Sequence, residues 1–101
     1  MSESDNTPLS LETFSPVVGQ IFEVVFTDGR LPLTLADVRS MGAPSREGGR
    51  SPFALTFHGK PGLRLPQQIY RLENATLGAK EIFIVQVGDD AQASKFEAIF
   101  N

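Results

Sequence analysis

The chain reads as all-β: a small six-stranded antiparallel meander, closed as a barrel or folded as a two-sheet sandwich, with a short N-terminal helix. Three observations predict this. Apolar and polar residues alternate with a period of two through most of residues 20–100, the rhythm of a half-buried strand. Turn-forming clusters separate these runs, as in Asp28-Gly29, Gly59-Lys60-Pro61-Gly62 and Asp89-Asp90. Eight phenylalanines in 101 residues give enough bulk to fill one interior, and the length allows one domain.

Each element follows from local pattern. Residues 1–9 are polar and acidic and are expected to form a flexible tail before a single β domain over residues 10–101. Ser10 reads as a helix cap, with Leu11, Phe14, Val17 and Val18 on one face; Pro16 and Gly19 keep the helix short, a lid over an open end of the sheet. Phe22, Val24 and Phe26 then alternate on an inner face and Leu31, Leu33 and Leu35 answer them. Asp28-Gly29 is expected to supply the positive φ of a tight hairpin, and Pro32 to sit at a strand start or on an edge.

Residues 40–52 break the pattern. Three glycines, two prolines and no large aliphatic residue except Met41 predict a mobile loop. The third strand carries Phe53, Leu55 and Phe57 inward, and the fourth carries Tyr70 and Leu72. The fifth, Glu81-Ile82-Phe83-Ile84-Val85-Gln86-Val87, is apolar on both faces; its expected inner set is Phe83, Val85 and Val87. The last turns Phe96, Ala98 and Phe100 inward.

The second half resembles a family of small, mostly bacterial proteins known as a domain of unknown function. The residues that carry the resemblance are Leu65-Pro66-Gln67, Tyr70-Arg71-Leu72-Glu73, Leu77-Gly78, Val87-Gly88 and the terminal Phe96-Glu97-Ala98-Ile99-Phe100-Asn101. The chain departs from that pattern at Phe96, where a tyrosine is expected, and in the basic, glycine-rich stretch over residues 45–50. The resemblance implies no activity and no site residues. It implies an accessory or assembly role, since such proteins are associated with phage-tail-collar-like proteins.

Composition narrows the chemistry. Zero cysteines exclude a disulfide scaffold and a thiolate metal site, and one histidine leaves too few ligands for a metal centre. His58 lacks the Gly-x-Ser-x-Gly elbow that a hydrolase base would serve, and Asp89-Asp90 lacks the spacing of a calcium loop. Glu73, Glu81 and Glu97 fall on outward strand positions rather than in a cleft. Asn74-Ala75-Thr76 matches a glycosylation sequon, read here as part of a turn. We therefore expect no enzyme, no catalytic residues, no cofactor and no metal. The net charge of −3 with scattered arginines argues against nucleic acid. No apolar run suggests a signal or a membrane span, so the expected location is cytoplasmic.

One excess remains. With the inner set filled, Ile21, Val25, Val38, Ile69, Ile82, Ile84 and Ile99 are expected to point outward. Either the N-terminal segment or a second sheet covers them, or they meet a protein partner or a second copy. The expected contact residues are Ile69, Ile82 and Ile84, with Arg46 and Arg50 of the glycine-rich loop offering charge to an anion or acidic partner. The function expected is thus a non-enzymatic interaction or assembly module. The alternative is a small-ligand-binding barrel, which needs an enclosed apolar cavity.

Overall fold

A computed structural model describes residues 9–42 and 51–100. A four-residue helix α1 (Leu11–Phe14) runs into a 3-10 turn (Ser15–Val17) and leads to β1 (Ile21–Phe26), β2 (Gly29–Ser40), β3 (Phe53–Gly59), β4 (Gln68–Asn74), β5 (Gly78–Asp89) and β6 (Ser94–Phe100). All neighbours are antiparallel, and the order β1-β2-β3-β6-β5-β4 closes on itself through β4 and β1. Of the two closures left open by the alternation, the chain adopts the barrel. Residues 1–8 of the expected tail 1–9, Asn101 and residues 43–50 of the expected mobile loop 40–52, Arg46 and Arg50 among them, lie outside the described residues.

The barrel consists of two three-stranded meanders, each built round a twelve-residue central strand that changes partner midway. β2 pairs with β1 over residues 29–34 and with β3 over residues 34–40. β5 pairs with β4 over residues 78–84 and with β6 over residues 85–89. The register slips between Leu35 and Asp37 in the first and between Gln86 and Gly88 in the second, the signature of a bulge. Such a bulge bends the strand and lets a small barrel turn its corner. Pro32 lies where β2 has only β1 beside it, so its missing N–H interrupts no ladder with β3.

The first bulge reverses the phase of β2. Leu35 faces inward opposite Phe57, and after the slip Val38 faces inward opposite Leu55 and packs on the core. The expectation that Val38 points outward is therefore corrected. The β1–β2 turn also differs from expectation: Phe26 pairs with Gly29, leaving Thr27-Asp28 as the turn. Gly29 is already a ladder residue with a negative φ, so the Asp-Gly pair supplies no left-handed residue here.

Phenylalanines fill the axis. Phe22 meets Phe57 edge-on at 5.5 Å between ring centroids, and Phe53 stacks on Phe100 at 4.6 Å. The helix closes the end where β1 begins. Phe14 is fully buried there, with ring centroids 5.8 Å from Phe100, 6.0 Å from Phe53 and 6.4 Å from Phe22. The Ser10 N–H donates to Thr13 Oγ1 at 3.2 Å and fixes the first turn of this lid. The lid sits on the end of the barrel, not on its wall.

Residues 60–67 close the opposite end. Gln86 pins them from the barrel mouth: its Nε2 donates to the Leu63 carbonyl at 2.8 Å and its Oε1 accepts from the Leu65 N–H at 3.1 Å. Ser94 Oγ donates to the Lys60 carbonyl at 2.8 Å, and the Tyr70 hydroxyl donates to the Pro66 carbonyl at 2.5 Å. Burial raises the Tyr70 phenol above its ordinary pKa. Leu63 and Leu65 thereby pack against the core from below.

Candidate functional site

The register of β5 decides what the barrel shows to its surroundings. The β4–β5 hairpin turns through residues 75–77, with Asn74 opposite Gly78. Gly78 takes φ +80°, and Asn74 Oδ1 accepts from the Thr76 and Leu77 N–H groups at 2.9 Å each. This turn pairs the buried Tyr70 with Ile82, so Ile82 and Ile84 face the interior, 2% and 1% exposed. The expected contact residues Ile82 and Ile84 are core residues. Conversely, Phe83 and Val87, expected inside, lie outside at 47% and 56% exposure. The Asn74–Gly78 turn and the Tyr70–Ile82 pair set this phase. Gln86 shares the inner face with Ile82 and Ile84 and interrupts their apolar series, whereas Phe83, Val85 and Val87 form an unbroken one.

Ile69 is exposed as expected, at 62%, and pairs with Phe83 across β4 and β5. On the other side of β5, Val85 pairs with Glu97, and Ile99, two residues further along β6, is 44% exposed. Ile69 and Phe83 thus form a cross-strand pair on the outer face, extended along β5 by Val85 and Val87, with Ile99 on the same face of β6. Together they expose roughly 400 Å² of apolar surface, within the ~300–600 Å² range where a monomer's largest patch is often functional. Charges border this face: Arg71 pairs with Glu81 on one side, and Glu97 lies on the other.

Among the described residues, nothing covers this face. Phe14 and Val17 are committed to the barrel end, and a single closed sheet leaves no second sheet to lie over the wall. The segments outside the described residues, Met-Ser-Glu-Ser-Asp-Asn-Thr-Pro at 1–8 and Ala-Pro-Ser-Arg-Glu-Gly-Gly-Arg at 43–50, bring no large apolar side chain except Met1.

The other sequence candidates fall elsewhere. His58 sits on the outer wall in register with Thr34 and Lys95. Glu73 is held by Arg30 at 2.6 Å and Arg71 at 3.3 Å, and the Arg30 hydrogen bond keeps its carboxyl below the usual range. Glu97 pairs with Arg39 at 3.1 Å across β3. Asp90 caps the β5–β6 turn: its Oδ2 meets Lys95 Nζ at 2.9 Å and its Oδ1 accepts from the Gln92 and Ala93 N–H groups, which lowers it to about 2. Asn74 is buried, and its Nδ2 donates to Gln20 Oε1 and the Ile21 carbonyl at 3.1 and 3.0 Å. That amide builds the turn and is committed to the first meander, which leaves the sequon without a free acceptor nitrogen. A cleft of about 280 Å³ opens between the helix and the strand ends, lined by Ser10, Leu11, Glu12, Ser40 and Ser51. It includes none of the residues on the barrel axis.

The class these observations define is a closed six-stranded antiparallel β-barrel with a filled interior, a capped mouth at each end and an uncovered apolar strip on its wall. The model of the family described as Domain of unknown function (DUF6916) matches residues 9–100, and the chain belongs to that family. No curated protein and no solved structure matches it. Among the described residues, no helix is long and apolar enough to cross a membrane.

Proposed function

We propose that this protein is a non-enzymatic interaction module that docks another protein on the outer face of β4, β5 and β6. The observation that supports this reading is the exposed Ile69–Phe83 pair, with Val87 and Ile99 on the same outer face: large apolar side chains that no described segment of the chain buries. Leaving such a side chain wet forgoes on the order of 1.5–3 kcal/mol relative to burial, a penalty that a contact removes. The closed sheet offers no long free edge for strand addition, so the partner meets side chains rather than backbone. An accessory place in a larger bacterial assembly, such as the phage-tail-like structures the resemblance implies, and a cytoplasmic setting complete the proposal.

A photo-crosslinking residue placed at position 83, with one at position 58 as the control on the same wall, tests it in the cell that makes the protein. A protein adduct at 83 in excess of that at 58 is expected. Equal or absent adducts at 83 would sink the reading.

A further inference from the structure

We infer that the barrel has a second, open state in which β1 and β4 part while every other strand pair stays joined, and that the side chains crossing this seam set how often it is visited. Two joints unite the meanders, β1 with β4 and β3 with β6. Backbone pairing at the first covers only Glu23, Val24 and Val25, opposite Glu73, Leu72 and Arg71. Side chains carry the seam beyond that ladder. At the end near the helix, Asn74 Nδ2 donates to the Ile21 carbonyl at 3.0 Å and to Gln20 Oε1 at 3.1 Å, and Thr76 Oγ1 donates to the same Gln20 oxygen at 3.1 Å. At the other end the Phe26 ring meets the Tyr70 ring edge-on, 6.1 Å between centroids.

The outer wall adds one clasp to each joint, and both clasps come from β2. Arg30 reaches over β1: its Nη1 donates to Glu23 Oε1 at 3.3 Å and to Glu73 Oε1 at 2.6 Å. Arg39 reaches over β3 to Glu97 Oε2 at 3.1 Å. Their surroundings differ. Glu97 stands between Thr56 and Val85, neutral neighbours, so Arg39 adds an exposed ion pair to a ladder that is already long. Glu23 stands opposite Glu73, and like charges directly opposite destabilise a strand pair. Arg30 both bridges those carboxylates and cancels their repulsion. Arg71, 3.3 Å from Glu73, lies on β4 itself and moves with it.

In the open state each meander keeps its own ladders, so the outer face of β4, β5 and β6 stays whole and the docking proposal does not depend on this one. Opening uncovers Val24 and Leu72, both fully buried, a cost that keeps the state minor. It breaks three residue pairs and leaves the rest of the sheet, so it lies below global unfolding in free energy.

Native-state hydrogen exchange of the whole chain, read amide by amide by NMR and corrected for intrinsic rates, tests this. The amides within residues 23–25 and 71–73 that bond across the seam should exchange at least about tenfold faster than those of the β3–β6 ladder. Arg30→Gln removes a contact that the open and the unfolded states both lack, so it should speed both sets by about two- to fivefold. Arg39→Gln removes a contact that the open state keeps, so it should speed the β3–β6 amides and leave the seam amides at the parent rate. Asn74→Asp keeps the Oδ1 acceptor of the turn but loses the donor to Ile21, and should speed seam exchange by about tenfold or more. One common rate for the two sets in the parent overturns the inference. So do seam amides indifferent to Arg30→Gln or to a folded Asn74→Asp, and seam amides accelerated by Arg39→Gln as much as the β3–β6 amides. Should Asn74→Asp fail to fold, the two arginine variants, both altered on the exposed wall, decide the matter.

Discussion

Replacing Ile84 with serine and, separately, Phe83 with serine asks which way β5 faces. Ile84 is 1% exposed and Phe83 is 47% exposed, though they are neighbours in an apolar run. Ile84→Ser gives up about 1.5–3 kcal/mol of buried aliphatic surface. The hydroxyl left in the core and the space behind it add about 1–3 kcal/mol. The expected loss is about 3–5 kcal/mol, against about 5–15 kcal/mol for a whole domain of this kind. With a urea m-value of about 1.5 kcal/mol/M, the unfolding midpoint of Ile84→Ser should fall by roughly 2–3 M. Phe83→Ser should move it by less than about 0.5 M, since surface changes away from packing sites stay within about 0.5 kcal/mol. Far-UV circular dichroism across a urea titration reads both. Equal midpoints for the two variants, or the larger loss at Phe83, would refute the register of β5 and the strip built on it.

Phe14→Ala should cost about 3–5 kcal/mol, because the ring seals the barrel end against Phe22, Phe53 and Phe100; a midpoint within experimental scatter of the parent would contradict the lid. Gly59→Ala should cost about 1–3 kcal/mol, as its new Cβ would lie 2.9 Å from Leu33 Cδ2, Leu63 Cδ2 and Ser94 Oγ, whereas Gly29→Ala, with nothing within 4 Å and a negative φ, should change stability by less than about 0.5 kcal/mol in the same urea assay. Asp90 is lowered from 3.8 to about 2, so its contribution is complete above pH about 4 and disappears as pH falls through about 2. Asp90→Asn keeps the acceptor of the turn but not the charge, and should therefore flatten the drop in melting temperature between pH about 4 and 2; an unchanged acid profile would assign that drop to other groups.

Most of the wall was legible in the amino-acid pattern because one face of each of those strands carries the phenylalanines and leucines while the other is polar. Phe22 and Val24, Phe53 to Phe57, Tyr70 and Leu72, and Phe96 and Ala98 fall where alternation puts them. The helix placed itself by the same logic, since Phe14 and Val17 need an interior and only an open barrel end provides one. β5 resisted because a strand apolar on both faces has no phase of its own; its phase comes from the Asn74–Gly78 turn and from Tyr70 across the ladder. Gln86 compounded this, as a polar residue turned inward to hold residues 63 and 65 has no mark in a list of side chains. Val38 was hidden by the slip at Ala36, whose small side chain gives no sign of a bulge. At the outer face, alternation gives the exposure of Ile69, whereas Ile82 and Ile84 face the core because β5 has the opposite phase.

The closure between β1 and β4 is three residue pairs long, where β3 and β6 share seven. It also sets Glu23 directly opposite Glu73, and Arg30, reaching both, is what reconciles them. The cylinder therefore has one strong suture and one weak one, and thermal breathing should begin at the weak one. Opening there would part the two meanders like a hinged shell, with the β3–β6 ladder as the hinge, long before either meander loses its own hydrogen bonds.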